Sequence, residues 1–195
     1  MRIPKTAHTS RPWRIHEIAP DFAVEDVWLL PAPGEAGDLP AFVRYMTSPD
    51  GDGEGFTGPA GWLFAIRWKL GEWFGWDKTG AGIGGWVATL RDRIPDDMRD
   101  APRGPDSVNL PFKSIYLLDD EWAAELANKT VHGVMHIGWV EGDDGVHRAQ
   151  MTVLVRPNGW FGKAYMAAIL PFRYAVVYPA MMRLIGRGWA NARPA

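Results

Sequence analysis

Residues 121–155, EWAAELANKTVHGVMHIGWVEGDDGVHRAQMTVLV, decide the fold. Three runs, 121–127, 130–140 and 146–155, are separated by Asn128-Lys129 and by EGDDG at 141–145. The separators have hairpin length and turn-forming residues, so the stretch reads as an antiparallel meander. KSIYLL at 113–118, ended by Asp119-Asp120, supplies a fourth strand. Residues 121–127 also fit a helical turn, because Trp122/Leu126 and Glu121/Glu125 stand four apart. Strand is the favoured reading, because the pairing then closes.

A two-residue turn at 128–129 sets Leu126 opposite Val131, Ala124 opposite Gly133 and Trp122 opposite Met135. A five-residue turn at 141–145 sets Ile137 opposite Ala149, Met135 opposite Met151 and Gly133 opposite Val153. One face is then apolar across three strands, and Ile115 and Leu117 extend it. The other face collects Glu121, Glu125, Thr130, His132, His136, Arg148, Gln150 and Thr152. Side chains alternate with period two, so a slip of one residue destroys both faces together.

Outward from the meander, residues 1–20 read as an irregular arm and 22–30 (FAVEDVWLL) as a first strand ended by Pro31. Residues 39–47 read as a short helix, stopped by Ser48-Pro49. Surface loops are expected at 49–61, 77–85 and 95–111. Between the first two, Trp62, Ile66, Leu70 and Trp73 follow helical spacing. A further short helix is expected within 86–93. The last element runs from about Gly159 to Trp189. On a helical wheel Tyr165, Ile169, Phe172 and Val176 form one stripe, while Leu170, Tyr174, Val177 and Met181 form nearly the opposite one. Such a helix is buried on both sides, lines a cavity or meets lipid, and Pro171 and Pro179 should kink or break it.

Composition bounds the function. A chain of 195 residues fits one domain, 1–195, and is long enough for a real core. It has no cysteine, which removes disulfides, thiolate metal sites and Cys nucleophiles and suits a reducing compartment. Its 21 Lys+Arg against 23 Asp+Glu argue against a nucleic-acid partner. The first fifteen residues lack the apolar run of a signal peptide, so a cytoplasmic location is expected. Eleven Trp and eight Phe supply apolar bulk. Residues 156–195 carry six cations and no acid, which suits either a membrane surface or the C-terminal end of a helix.

The order of strand, short helices, antiparallel meander and long C-terminal helix resembles the helix-grip fold of the START and Bet v 1-like superfamily. More closely, DDEWAAELANKTVHGVMHIGWV and RPNGWFGKAYMAAILPFRYAVVYPAMMRLIGRGW resemble a bacterial domain-of-unknown-function family. Its members stand alone or follow an NAD(P)-binding, short-chain-dehydrogenase-like domain; the free-standing form is the one expected here. The resemblance implies an α+β domain whose sheet wraps the C-terminal helix around a hydrophobic cavity. It carries no reaction and no catalytic residues.

The remaining motifs are weak. Gly80-Ala81-Gly82-Ile83-Gly84-Gly85 matches G-x-G-x-x-G, but no βαβ unit surrounds it. Asp50, Asp52 and Glu54 imitate a calcium loop, yet Gly61 stands where a bidentate Glu is required. Gly162-Lys163 lacks the Ser or Thr of a P-loop. None of the four serines lies in G-x-S-x-G. Asp119-Asp120-Glu121 reads as a solvated turn. His132 and His136 lie about 13 Å apart on a strand and cannot share one metal. Glu125 falls beside His132, and Glu121 and Gln150 beside His136, which makes workable acid–base couples; a solvated outer face of cross-strand pairs is the favoured reading. No metal and no cofactor are expected.

Residues 164–182 approach the length of a membrane span, but Arg173 at their middle would cost about 2.5–3.5 kcal/mol and two prolines interrupt them. No transmembrane span is expected; peripheral membrane contact stays open. The expected function is binding of a small hydrophobic or amphipathic molecule between sheet and C-terminal helix. Arg173 and Tyr165 are the expected polar anchors, with Met135, Trp139, Met151, Ile169, Phe172 and Val176 as wall. Two alternatives stay open: a metal-free cyclase or isomerase using the same cavity, and an accessory module docking a membrane surface or a partner oxidoreductase.

Overall fold

The computed structural model describes residues 1–49, 82–85, 87–108, 110–127, 131–158 and 173–192. The helix expected from Pro59, the Asp50–Gly61 loop, the start of the Gly-rich run and Gly162-Lys163 lie outside these residues. So do Tyr165, Ile169 and Phe172, and of Arg173 and Val176 only the backbone is described.

The protein is α+β. Two single-turn helices, α1 (Thr6–Thr9) and α2 (Ile15–Ile18), precede strand β1 (Ala23–Gly34) and helix α3 (Leu39–Thr47). Two 3₁₀ turns, Leu90–Arg93 and Asp96–Met98, lead into β2 (Lys113–Leu117), β3 (Glu121–Ala127), β4 (Val131–Glu141) and β5 (His147–Pro157). A π-helical turn, Arg173–Val177, opens into α4 (Tyr178–Ala192). The strands form one open antiparallel sheet in the order β1-β5-β4-β3-β2. No described helix is long and apolar enough to cross a membrane.

Residues 121–127 are a strand, as the pairing argument required, but the register differs from expectation by two residues. Leu126 pairs with Gly133, Ala124 with Met135 and Trp122 with Ile137; on the other side Ile137 pairs with Met151 and Met135 with Val153. Two is an even number, so the side chains keep their faces. The β4–β5 connection has Gly145 at φ +74°, closed by Gly145 N–H to Gly142 O at 2.9 Å. Replacing Gly145 by alanine should lower stability by about 1 kcal/mol through left-handed strain alone, measurable by urea denaturation.

Two irregularities were not visible in the pattern. β1 continues past Pro31 to Gly34, because it is an edge strand, where the missing N–H costs no ladder bond, and its register shifts between Leu29 and Pro33. In β2 a shift between Ser114 and Tyr116 turns Ile115 away from the apolar face expected for it, into the opposite cluster with Tyr116 and Ala123.

Both faces of the sheet are covered. On one, Trp122, Ala124, Ile137, Trp139 and Met151 pack with Phe42 and Val43 of α3 and Tyr178, Ile185 and Trp189 of α4. On the other, Trp13, Ile15 and Ile18 of the arm, with Leu90 and Met98, close over Ala123, Val134 and Leu154. The second cover corrects the solvated outer face expected from sequence. Glu121, Glu125, His132, His136, Gln150 and Thr152 are all buried. Asp119 and Asp120 do form the β2–β3 turn, but Glu121 beside them lies inside.

Candidate ligand-binding site

Of the residues expected from sequence to line a site, Trp139, Met151 and Met135 lie on the sheet face that carries α4. Trp139 and Met151 are buried there. Trp139 packs against Phe42 with ring centroids 5.6 Å apart and donates its indole N–H to Glu35 O at 2.7 Å. Met135 is half-buried at the border of this cluster, beside Val153. The backbone of Arg173 and Val176 belongs to the π-helical turn that enters α4. Pro179 is the second residue of α4 and directly follows the π-helical turn.

Sequence reading missed the polar group at this border. A shift in β1 between Val24 and Asp26 leaves Glu25 unpaired and sets Asp26 opposite Val153, on the apolar face. Asp26 is fully buried. Its Oδ1 accepts a hydrogen bond from the Tyr174 hydroxyl, and its Oδ2 accepts one from the Tyr178 hydroxyl at 2.9 Å. Arg2 reaches Asp26 Oδ1 at 3.9 Å and lies over the Tyr174 ring at 4.7 Å. Trp28 stacks obliquely on Tyr178 at 4.4 Å. A carboxyl group, two phenols and a guanidinium thus meet where the apolar sheet face passes under the π-helical turn. An acid in a strand whose next neighbours are Val and Trp was the only available signal; the bulge that aims it inward depends on pairing with β5.

The buried polar face is a second constellation. His132 Nε2 bonds Glu125 Oε2 and His136 Nε2 bonds Glu121 Oε2, each at 2.8 Å. With the observed register these couples are diagonal rather than directly opposite, a span that long side chains still bridge. Glu125 also accepts from Thr89 Oγ1 and from the Leu90 backbone N–H at 3.1 Å. Glu121 accepts from the Tyr116 hydroxyl and from the Arg14 backbone N–H, both at 2.8 Å. Burial pushes the Glu121 carboxyl up, but the His136 bond and charge, with the Arg14 and Tyr116 donors, outweigh it and hold the group below its usual range. Burial and the neighbouring Glu121 push the Tyr116 phenol well up, so it stays a hydrogen-bond donor. Among the described residues no cluster of three or more His, Asp or Glu is arranged to hold a metal ion.

These features define an α+β protein with a five-stranded open antiparallel sheet, a C-terminal helix on one face and a buried acid beneath its first turn. The chain belongs to the DUF2867 family, a protein family of unknown function, which it matches over residues 18–180. No curated protein and no solved structure matches it.

Proposed function

We propose that this protein binds a small hydrophobic or amphipathic molecule between the sheet and the C-terminal helical segment. The observation that carries the reading is Asp26, a fully buried carboxyl group on an otherwise apolar face, met by two phenols from the segment opposite. Ligand sites are mostly apolar, with a few placed polar groups that fix orientation. Asp26, Tyr174 and Tyr178 supply such a group here, and Trp28 and Met135 the apolar border, with Trp139 and Met151 behind them. The π-helical turn adds support, since single π turns recur at functional sites. The reading extends to a helix-grip domain acting in the cytoplasm, where a chain without cysteine suits the reducing conditions.

The same trio favours one second reading. A carboxyl group held between two phenols is an acid–base device, as an isomerase or cyclase would require. Binding is the first reading because it needs only the anchor.

The neutral amphipathic dye Nile red provides the test. It should bind the wild-type protein saturably, and the Tyr174→Phe/Tyr178→Phe variant should bind about thirtyfold more weakly, the loss expected for two hydroxyl contacts of about 1 kcal/mol each. Native mass spectrometry of protein purified from cells should show a co-purifying organic species that this variant retains less. Absence of saturable binding, or equal affinity in the two proteins, overturns the assignment.

A further inference from the structure

Residues 1–20 run along the outer edge of β1 and then under the polar face of the sheet. Leu29 N–H donates to Met1 O at 2.8 Å and Ile3 N–H to Val27 O at 3.0 Å, which adds a short rung to the β1 edge. Arg2, within this rung, is the residue that reaches Asp26 and Tyr174. A cleft of about 300 Å³ lies along the seam, lined by Arg2, Ile3, Pro4, Lys5, Glu25 and Val27. Past it, Trp13 covers Gly138 so closely that an added Cβ would stand 2.6 Å from its ring.

His8 is the centre of the buried contact. It is fully buried, and its Nδ1 shares a 3.1 Å hydrogen bond with Thr152 Oγ1 of β5. His16 of α2 and His136 of β4 meet its ring at centroid distances of 4.8 and 5.0 Å. Glu121 of β3 takes the far nitrogen of His136, with Tyr116 of β2 behind it. Arg14 gives Glu121 its backbone N–H and turns its guanidinium to Asp97 and Glu17. Glu121 is therefore engaged by other groups, and His8 Nε2 has no hydrogen-bond partner among the described residues. A proton added to His8 would sit among imidazoles with no carboxylate of its own.

We propose that residues 1–20 are an acid-released strap: proton uptake by His8 detaches α1 and α2 from the polar face, and the peeling that follows lifts Arg2 from Asp26. The release stands on the strap and sheet alone; its effect on the ligand site rests on the reading given above.

The direction follows from linkage. Burial, then the charges of His136 and His16, lower the His8 pKa from 6.5 to about 3 while the strap is closed. Once released, His8 returns to the ordinary imidazole range, so the open state binds more protons. Closure is therefore undiminished above about pH 6.5 and weakens as pH falls towards 3. One proton weakens it about tenfold by pH 5.5 and about a hundredfold by pH 4.5. Glu121, held low overall, adds to the loss only near and below its free value of 4.5. Asp120, pushed up by burial and then by Glu121, opposes it there.

Hydrogen–deuterium exchange of the full chain between pH 7 and 4.5, corrected for intrinsic exchange, tests the strap. Amides of residues 1–20 should open about a hundredfold more readily at pH 4.5 while those of β4 stay protected. His8→Gln should flatten this slope, whatever its absolute level of protection. Gly138→Ala, which forces Trp13 aside, should open the strap already at pH 7. A flat wild-type profile, an unchanged slope in His8→Gln, or strap and β4 opening in step overturns the proposal. Nile red release that fails to quicken as the strap opens overturns the coupling to Arg2. Failure of Nile red to bind at all overturns the ligand reading and leaves the exchange profile as the test of the strap.

Discussion

Glu121→Ala should destabilise the fold by about 3–5 kcal/mol, the range for breaking a buried pair from one side. The cost comes from what is left behind. His136 Nε2, the Tyr116 hydroxyl and the Arg14 N–H all point at this carboxylate. None can reach water, because Glu121 and His136 are at most 2% exposed. Equilibrium urea unfolding near pH 7 measures the loss, and Glu121→Gln, which keeps an acceptor oxygen, should recover part of it. The pH dependence has a definite sign. The folded carboxyl titrates below its free value of 4.5, so its contribution is whole above that pH and fades as pH falls through the folded value. A loss below about 1 kcal/mol would mean that water reaches the couple. Glu125→Ala should lower stability near pH 7 by a similar amount, since it strands His132, Thr89 and the Leu90 N–H.

Trp139→Ala should cost about 3–5 kcal/mol as well, by a different route: it opens a cavity in a close-packed core. Its ring lies against Phe42, which Trp189 of α4 meets edge-on at 5.2 Å. Gly34 packs so tightly on it that an added Cβ would stand 2.6 Å from the indole. Met135→Ala offers the contrast, because Met135 is only half-buried at the border of that core. Its stability loss should be the smaller of the two, while its Nile red affinity should fall. The pair of variants, read by urea unfolding and dye binding together, separates packing from lining. Equal effects of both on both measurements would remove Met135 from the ligand wall.

The meander was legible because its signal is local: alternation of side chains and turn chemistry between the strands. Its faces were legible even though the register was not, since an error of two residues conserves parity. The Glu125–His132 and Glu121–His136 couples were legible for the same reason. That their face is buried had a sign in the pattern too, because Ala123, Val134 and Leu154 share it with the histidines. A solvated strand face has little use for them. The cover over it, however, comes from residues 13–18 and from Leu90 and Met98, all outside the meander, and no periodicity links Trp13 to Gly138.

What the amino-acid sequence determined alone is the class of architecture, the antiparallel meander and the pairing of each imidazole with a carboxylate. These depend on neighbours along a strand or across one turn. Only the tertiary structure decided that the polar face is interior, that Ile115 belongs to it, and that Asp26 points at Tyr174 and Tyr178. Each depends on a one-residue bulge or on a distant segment laid across the sheet. A bulge inverts every side chain beyond it, and it is set by the free energy of packing both faces at once. That sum cannot be read from any single stretch of the chain.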